Sequence, residues 1–370
     1  MQIKSIKLLP VHLTFKQPFV SAHETLTTRD LVIVEVLDEY GNQGLGELDA
    51  FVNPYYNAET LTTASWIIKQ ILAPKIKDLE FQKPQEISNC WQAVRGNNLA
   101  KAALETAIWA AFAQRQHQPL RQVLAQAAGV NSHTHIRTGI SLGINNLAQT
   151  QAAMSQALEL GYQKIKLKVH GNNDLPKIAQ LRQQFPQAPL MIDANGSLQN
   201  TDTLAATIDD LNLLMIEDPF ASSDLRAAQK LQNQMQTSIC FDEPITSVAA
   251  ALNALAFDQC RIISCKIGAL GGFGPLIQLI KAQQKFHFPL WCGAMLEGGI
   301  GRALNLAAAS LETFAFVSDI GETRKYYQKD LTLETFQLHH GCFQLPTTSG
   351  LGVSLLPQYQ AQLAQTSSLI

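Results

Sequence analysis

The sequence predicts an α/β fold of the (β/α)8-barrel type, preceded by a smaller α+β segment. From residue 136 onward, short apolar strands alternate with amphipathic helices about eight times within about 190 residues, the pattern of such barrels. The strands read as continuous apolar runs, typical of parallel strands that are covered on both faces. A doubly wound sheet is the alternative, but no GxGxxG phosphate-binding motif follows a first strand. The predicted strands are Ile136–Ser141, Lys164–Val169, Leu190–Ala194, Leu213–Glu217, Ile239–Asp242, Ile262–Lys266, Leu290–Cys292 and Phe314–Val317.

Helices fill most of the gaps between these strands. Apolar residues recur there at helical spacing, which predicts amphipathic helices on the outside of the barrel. Examples are Leu147–Leu160, Leu175–Phe185, Leu225–Met235 and Pro275–Phe286.

The residues before the barrel follow a different pattern. Three strands with a turn at residues 39–42 come first, and three helices follow them. Ser132–His135 marks the boundary with the barrel, and Phe343–Val353, which lies outside the repeat, is expected to return to the N-terminal part. The strands are Ile3–Leu13, Leu31–Asp38 and Gln43–Glu47, and the helices are Ala58–Leu72, Glu86–Val94 and Leu99–Arg115.

Composition and charge exclude several classes of function. The 370 residues include 28 Lys and Arg against 30 Asp and Glu, a net charge of −2, so the basic excess of a nucleic-acid-binding protein is missing. No apolar run reaches the roughly 18–20 residues that cross a bilayer. The first residues alternate like a strand and lack the apolar block of a signal peptide. With six scattered cysteines and no CxxC, we expect a cytoplasmic protein with reduced thiols.

Charged residues stand at the ends of five successive predicted strands. They are Lys168, Asp193, Glu217, Asp242 and Lys266, and neighbouring members are 24 or 25 residues apart, which is one βα unit. The carboxyl ends of barrel strands point to the same face, where active sites lie. The five side chains are therefore expected to converge on one mouth of the barrel.

The three carboxylates in this series would repel one another without a cation. Hard oxygen ligands on three rigid strands suit Mg²⁺, with water or substrate completing the octahedron. The alternative is that Asp193, Glu217 and Asp242 each cap a helix or pair with a nearby lysine, which becomes less credible for three carboxylates in register.

Two lysines flank the carboxylates on one side and a third faces them from the other. Lys166 and Lys168 share a face of their strand, and Lys266 comes from the opposite side of the barrel. Lys164 has the same parity, and we interpret it as a solvated strand end. Lysines across a metal favour proton transfer next to a substrate carboxylate: one lysine removes the α-proton, and the other returns a proton or steadies the charge. Lys166 and Lys168 as plain counter-ions are the alternative.

These motifs identify a family resemblance that covers essentially the whole chain. The sequence resembles the enolase superfamily, muconate-lactonizing subgroup, and within it the o-succinylbenzoate synthases related to N-succinylamino acid racemases; a lysine base with Mg²⁺ is the known pattern of this superfamily. The motifs are Gly44-Leu45-Gly46-Glu47, Arg95-Gly96-Asn97-Asn98 with the helix that follows it, Lys166-Leu167-Lys168, Asp193-Ala194-Asn195, Ile216-Glu217-Asp218-Pro219, Asp242-Glu243, Cys265-Lys266-Ile267-Gly268 and residues 293–302, GAMLEGGIGR.

The resemblance implies a fold and a set of roles. It implies a modified (β/α)7β barrel at residues 131–324, with an α+β capping domain at 1–130 completed by about 325–370. Asp193, Glu217 and Asp242 would bind Mg²⁺, for which Mn²⁺ can substitute. Lys168 would be the acid/base, Lys166 its electrostatic neighbour, and Lys266 the second acid/base or a cationic stabiliser. Asn195, Glu243 and Glu297 would support these groups from behind.

Two loops of the capping domain are expected to close the substrate pocket. They are Pro18–His23 and Phe51–Tyr56, with Phe19, Phe51 and Tyr55 as apolar walls. Met295 is expected to touch substrate, and Arg302 either binds a succinyl carboxylate or forms a salt bridge. The glycine-rich Gly268–Gly274 is expected to bring backbone close to the substrate. Asp319, near the end of the eighth strand, lacks the second acid of the DxD pair with which dipeptide epimerases hold an ammonium group.

The activity implied by the resemblance is a Mg²⁺-dependent lyase reaction. The lyase would dehydrate 2-succinyl-6-hydroxy-2,4-cyclohexadiene-1-carboxylate to o-succinylbenzoate through a metal-stabilised enediolate, a step of menaquinone biosynthesis. N-succinylamino acid or N-acylamino acid racemisation is the alternative and uses the same residues; a catalytically silent binding barrel and a cycloisomerase are weaker ones. We expect a small carboxylate substrate, no nucleic-acid or membrane partner, and a homo-oligomer.

Overall fold

A three-stranded antiparallel sheet begins the chain in the computed structural model, which describes residues 1–20, 24–144 and 146–370. Its strands β1 (Ile3–Val20), β2 (Thr25–Asp38) and β3 (Gln43–Leu48) are paired in the order β1-β2-β3. Helix α4 (Asn98–Arg115) packs across β3 and β2. A Cβ atom at Gly44 would lie 1.9 Å from the Ala107 carbonyl oxygen, so glycine is required where this strand meets the helix.

The other helices of this N-terminal part differ from the prediction in their bounds, and α5 was not predicted. The helix predicted from Ala58 begins at Leu61, because the Thr60 hydroxyl caps it by accepting from the Thr63 amide at 3.2 Å. It changes to π-helical geometry before α2, and a 3-10 turn at Pro84–Glu86 leads into α3. The elements are α1 (Leu61–Ile67), the π-helix Ile68–Leu72, α2 (Ala73–Ile76), α3 (Ile87–Cys90) and α5 (Leu120–Ala128).

A curled sheet of seven parallel strands forms the barrel and confirms the predicted fold class. Leu167, Ile192 and Ile263 are among its fully buried core residues. Neighbours in the order β5 to β11 are hydrogen-bonded, and the strands are β5 (Ile140–Gly143), β6 (Ile165–Lys168), β7 (Leu190–Asp193), β8 (Ile216–Glu217), β9 (Ile239–Phe241), β10 (Ile262–Cys265) and β11 (Leu290–Cys292). The helices between and after them are α6 (Leu147–Glu159), α7 (Leu175–Gln184) after a 3-10 turn at Asn172–Asp174, α8 (Leu204–Asp210), α9 (Leu225–Gln234), α10 (Val248–Ala256), α11 (Ile267–Leu270), α12 (Phe273–Phe286), α13 (Gly299–Ala309) and α14 (Thr323–Tyr326).

The eighth position of the barrel is closed by an irregular segment, so the prediction of a strand at 314–317 was wrong. A single parallel bridge joins Ser318 to Thr138, and the Gly139 amide donates to the Ser318 carbonyl at 2.6 Å. The Thr138 hydroxyl donates to the Ile320 carbonyl at 2.8 Å and thereby takes a bond that a strand ladder would use. The Thr138 hydroxyl and the single bridge to Ser318 thus take the place of an eighth strand ladder. The apolar pattern of the sequence does not show this difference.

The first predicted barrel strand is divided between two sheets. Residues His135–Arg137 (β4) pair antiparallel with Cys342–Gln344 (β12), and the barrel strand begins only at Ile140. The C-terminal stretch therefore contacts both parts of the molecule: β12 lies beside the barrel, whereas the Gly350 carbonyl accepts from the Leu120 amide at 2.8 Å. The last helix, α15 (Pro357–Gln365), packs on β1.

Carboxylates of the capping domain cap two barrel helices. Glu105 on α4 accepts from the amides of Phe273 at 2.6 Å and Gly274 at 2.7 Å, at the start of α12. Glu47 on β3 accepts from the Gly298 amide at 2.6 Å, at the start of α13. Both carboxylates satisfy otherwise unpaired amides and lie at the positive ends of helix dipoles. The glycine-rich segment is thus packed against α4, in place of the expected approach to substrate.

Two negative findings concern the part of the chain that the structure describes. None of its helices combines the length and the apolar character that a membrane crossing requires. All six cysteines are free thiols, as predicted, and four of them are buried.

Candidate active site

The charged residues predicted at the strand ends lie at one mouth of the barrel. In the sheet register, Lys168 is paired with Asp193, and Asp193 with Glu217. A cavity of about 200 Å³ opens above them, between the barrel and the capping domain. Its barrel side is lined by Ser141, Gly143, Lys166, Lys168, Asp193, Asn195, Asp242, Lys266, Ala294, Met295, Leu296, Arg302, Asp319 and Tyr326, and its capping side by Phe19, Glu24, Leu26, Phe51 and Tyr56.

Lys166 is buried among three carboxylates. Its Nζ lies 2.6 Å from Asp319 Oδ2, 3.2 Å from Glu217 Oε2 and 3.6 Å from Asp193 Oδ2. Burial alone would lower the pKa of Lys166, but these carboxylates outweigh burial and hold its pKa well above the ordinary value. These contacts favour the protonated form of Lys166 beside the site.

Lys168 lies at the edge of the cavity and is held by barrel residues. Its Nζ donates to Asp193 Oδ2 at 3.1 Å and to Asn195 Oδ1 at 2.9 Å, and 24% of its side chain is exposed. The Asn195 amide group in turn donates to Glu243 Oε1 at 3.1 Å. Asn195 and Glu243 thus support Lys168 from behind, and its amine remains accessible from the cavity.

Lys266 faces this group from the other side of the carboxylate row. Its Nζ lies 2.5 Å from Asp242 Oδ2 and 2.6 Å from the Tyr56 hydroxyl. Burial opposes the charge, but Asp242 and Tyr56 outweigh it and raise the pKa of Lys266 well above the ordinary value. Burial likewise raises the pKa of the Tyr56 phenol, so the hydroxyl keeps its proton at neutral pH.

Burial affects two carboxyl groups at and behind the row, Glu217 and Asp218. Burial raises the pKa of Glu217 to about 8 against the effect of Lys166, and the nearby carboxylates Asp193 and Asp242 raise it further. Behind them, Asp218 accepts from the Asp242 amide at 3.1 Å, and burial raises its pKa well above the usual range. A divalent cation at this position would favour the ionised forms.

The oxygen atoms of Asp193, Glu217 and Asp242 are suitable ligands for a hard cation, although the three carboxyl groups are not arranged around a common metal position. Within the described residues, no three His, Cys, Asp or Glu side chains form a group arranged to hold a metal ion. Asp193 and Glu217 instead contact Lys166, and Asp242 contacts Lys266. Carboxylate oxygen donors on three neighbouring strand ends still match the preference of Mg²⁺.

Most residues predicted to contact substrate line the cavity. Phe19, Phe51, Met295 and Arg302 do so, whereas Tyr55 is 59% exposed and does not. Residues 21–23 of the predicted loop Pro18–His23 lie outside the described part of the chain.

Arg302 forms the salt bridge that was one of its two predicted roles, and binding of a succinyl carboxylate stays a prediction. It is buried, with Nη2 3.3 Å from Glu297 Oε2, and it also lines the cavity near Tyr326, whose ring centre is 5.9 Å from the guanidinium carbon. Glu297 also accepts from the Met295 amide and from the Asn305 side chain. Glu297 therefore contacts Arg302 and residues in and just before α13, instead of supporting the lysines as predicted.

Three residues in or beside the site were not among the predicted site residues. Tyr56, next to the predicted Tyr55, reaches Lys266, and no sequence signal distinguishes the two loop tyrosines. Asp319 contacts Lys166, and its place at the end of the eighth barrel position was the sequence signal for this role. Lys164 is 1% exposed, with Nζ 3.3 Å from the Trp291 ring centre, so its interpretation as a solvated end was wrong. Its shared parity with 166 and 168 was the signal.

The chain resembles known proteins over nearly its whole length. Residues 3–125 match the model for the mandelate racemase / muconate lactonizing enzyme N-terminal domain, and residues 149–359 match the enolase C-terminal domain-like model. An o-succinylbenzoate synthase of Enterococcus faecalis is 40% identical over 96% of both chains. An N-succinylamino acid racemase of Thermus thermophilus is 33% identical over 96% of this chain and 95% of its own.

Solved structures show the same fold. An enolase-superfamily member from Enterococcus faecalis superposes with a TM-score of 0.93 at 38% identity, covering 100% of both chains. A dipeptide epimerase of Cytophaga hutchinsonii, complexed with Mg and the dipeptide D-Ala-L-Val, superposes with a TM-score of 0.85 at 23% identity over 99% of both chains. The chain belongs to the enolase superfamily.

Proposed function

We propose that this protein is a Mg²⁺-dependent o-succinylbenzoate synthase, a hydro-lyase of menaquinone biosynthesis. Its substrate would be 2-succinyl-6-hydroxy-2,4-cyclohexadiene-1-carboxylate. The observation that carries the proposal is the pair Lys168 and Lys266, which face one cavity from opposite sides of the carboxylates. The relative at 40% identity with the same activity in its name supports it.

Asp193, Glu217 and Asp242 would hold the metal. When bound, Mg²⁺ or Mn²⁺ supplies a Lewis acid for the substrate carboxylate and lowers the cost of negative charge on it. The fit rests on the oxygen donors that these three residues supply at neighbouring strand ends. The epimerase neighbour that is complexed with Mg supports the choice of metal.

Lys168 would carry the proton in the reaction. Its Nζ is placed by Asp193 and Asn195 and reaches the cavity, where it accepts the α-proton of the substrate. The same Nζ then gives this proton to the hydroxyl that leaves from the same side, so water departs and the ring becomes aromatic. Burial opposes ionisation of Asp193, but Lys168 and Lys166, whose Nζ lies 3.6 Å from Asp193 Oδ2, outweigh it and lower the pKa of that carboxyl.

Lys266 would stabilise charge on the opposite face. Its ammonium, held by Asp242 and Tyr56, is a donor fixed in advance, and such a donor stabilises developing negative charge without reorganisation. Phe19 and Phe51 line the capping side of the cavity and would exclude water from it.

Racemisation of N-succinylamino acids is the second candidate function. The placement of Lys168 and Lys266 on opposite sides favours it, because inversion needs an acid/base on each face of the α-carbon. The Thermus thermophilus relative with this activity in its name supports it as well. A silent binding barrel is disfavoured, because the sequence carries each carboxylate and lysine of the predicted set.

Two assays on the same samples test the proposal. Dehydration is followed by absorbance for the wild type, for Lys168→Ala and for Lys177→Ala, whose lysine lies on α7 with 45% of its side chain exposed. Turnover that is lost in Lys168→Ala and kept in Lys177→Ala supports the synthase. No dehydration by the wild type, with α-proton exchange of N-succinylamino acids in D₂O, would replace it with the racemase.

We also propose the domain division inferred from the sequence. The capping domain would comprise residues 1–130 and about 325–370, and the barrel residues 131–324. The packing of α15 on β1, and the bond from the Leu369 amide to the Ile6 carbonyl at 2.8 Å, support the assignment of the C-terminus to the capping domain.

A further inference from the structure

We propose that Tyr56 is a positioning residue for Lys266: its hydroxyl, supplied by the capping domain, holds the lysine against the face of the cavity opposite Lys168. The inference deepens the proposed function and rests on it for the role of Lys266 in turnover. The contact itself can be tested without any activity.

The first step is the set of contacts around Lys266. The ammonium lies between Asp242 Oδ2 at 2.5 Å and the Tyr56 hydroxyl at 2.6 Å, and its Nζ lies 5.0 Å from the centre of the Tyr56 ring. Asp242 is a proposed metal ligand, so its contact with Lys266 is shared with another role. Tyr56 is the neutral partner of the ammonium, and no metal-binding role is proposed for it.

The second step is the support of Tyr56 itself. Its ring stacks edge-on against Phe51, with ring centres 5.7 Å apart. Phe51 in turn contacts the Arg29 guanidinium, whose central carbon lies 4.0 Å from the centre of the Phe51 ring. The same guanidinium donates to the Ala50 carbonyl at 2.9 Å and to the Asp49 carbonyl. A buried cation thus fixes the aromatic pair that carries the hydroxyl.

The third step is the anchoring of the segment from Phe51 to Thr60. Its two ends are joined by a parallel bridge, and the Leu61 amide donates to the Phe51 carbonyl at 2.9 Å. Within it, Glu59 accepts from the amides of Leu99 at 3.0 Å and Ala100 at 3.1 Å, at the start of α4. The segment is built into the capping domain, so the position of Tyr56 is defined by that domain.

These contacts make the two lysines different. Lys168 is held by Asp193 and Asn195, which belong to the barrel, whereas Lys266 depends on a hydroxyl from the capping domain. Loss of that hydroxyl should therefore disturb Lys266 and leave Lys168 as it is.

The test compares Tyr56→Phe with Tyr40→Phe. Phenylalanine keeps the ring against Phe51 and removes one hydroxyl, and Tyr40 lies in the β2–β3 turn, is 75% exposed and does not line the cavity. The first readout is reductive methylation of lysines, followed by peptide mass spectrometry. We expect Tyr56→Phe to raise the labelling rate of Lys266 about 3- to 10-fold, since a hydrogen bond to a charged group is lost, with Lys168 unchanged.

The second readout is steady-state dehydration. We expect kcat of Tyr56→Phe to fall about 10- to 100-fold with KM within about 3-fold of the wild type, because misplacing a catalytic group affects the chemical step. Tyr40→Phe should match the wild type in both readouts. A fall in kcat without any change at Lys266, or equal changes at Lys266 and Lys168, would indicate general disturbance and overturn the proposal.

The proposed function and this inference fail in different ways. A wild type without dehydration activity overturns the synthase, while the labelling of Lys266 still decides the contact with Tyr56. Unchanged labelling and unchanged kcat in Tyr56→Phe, with an active wild type, overturn the inference and leave the synthase in place.

Discussion

The ammonium of Lys166 lies 2.6 Å from Oδ2 of Asp319, so the second barrel strand is tied to the irregular segment that closes the barrel. Burial would raise the pKa of Asp319, but Lys166 and Lys164 outweigh it and hold the carboxyl ionised. The carboxylate is thus part of the charge balance of the site, although it comes from a segment that is not a strand.

Asp319→Asn should weaken both stability and turnover. The substitution keeps the shape but leaves Lys166 without its nearest carboxylate, and breaking a buried ion pair costs about 3 kcal/mol or more. We expect the free energy of unfolding in denaturant to fall by about that amount and dehydration to slow at least about 10-fold, since the lysine beside the base is displaced. Asp202→Asn, at an exposed position, serves as control. An Asp319→Asn protein as stable as the control would show that the pair has little weight.

Lys164→Met should stabilise the protein in a pH-dependent way. Burial beside Trp291 lowers the pKa of Lys164 from 10.5 to about 8. Between about pH 8 and 10.5, Lys164 is therefore protonated in the unfolded chain and neutral in the folded protein. The buried charge thus lowers the free energy of unfolding by its full amount below pH 8, and this loss of stability disappears towards pH 10.5.

The size of this effect follows from the shift. The difference in the free energy of unfolding between Lys164→Met and wild type should be about 3 kcal/mol at pH 7 and should shrink towards zero at pH 10.5. Urea unfolding of both proteins at several pH values measures it. A difference that is constant with pH, or a destabilised variant at pH 7, would contradict the cost assigned to this buried charge.

Glu105→Gln should weaken the attachment of the capping domain to the barrel. Glu105 Oε1 accepts from Trp109 Nε1 at 2.9 Å and from the Gly274 amide at 2.7 Å, while Oε2 accepts from the Phe273 amide at 2.6 Å. Glutamine has one acceptor oxygen and one NH₂ group, so at least one of these three N–H groups would face the glutamine NH₂ instead of an acceptor. We expect a loss of about 1–3 kcal/mol in the free energy of unfolding, measured by chemical denaturation.

Glu159→Gln is the matched control, because that residue is exposed at the end of α6. Gly272→Ala should resemble Glu105→Gln, since a Cβ there would lie 2.2 Å from Glu105 Oε2 and φ is +122°. Equal free energies of unfolding for Glu105→Gln and Glu159→Gln would show that the Glu105 carboxylate does not stabilise the attachment of the capping domain.

The sequence was informative where chemistry follows a regular period. Lys168, Asp193, Glu217, Asp242 and Lys266 recur once per βα unit, and a parallel barrel must bring such positions to one mouth, where the structure has them. The burial of the barrel strands was also predictable, because continuous apolar runs are typical of parallel strands that are covered on both faces.

Contacts between distant or irregular segments could not be read in this way. Tyr56 reaches Lys266 over a separation of 210 residues from a loop, where neither period nor propensity fixes the direction of a side chain. Asp319 lies on a segment whose bonds are made by Thr138 and one bridge instead of a ladder. Lys164 was misjudged because cost alone argues against burying an ammonium, and only the structure shows Trp291 beneath it.

The central claim is that the carboxylates and Lys168 form a metal-dependent site for dehydration, and metal removal tests it most directly. The wild type is treated with EDTA, passed through a desalting column, and assayed on the cyclohexadiene substrate while Mg²⁺ is added back. We predict activity near zero without metal, full recovery that saturates with Mg²⁺, and no recovery for Glu217→Gln at the same concentrations. Undiminished turnover by the metal-free wild type would contradict the account.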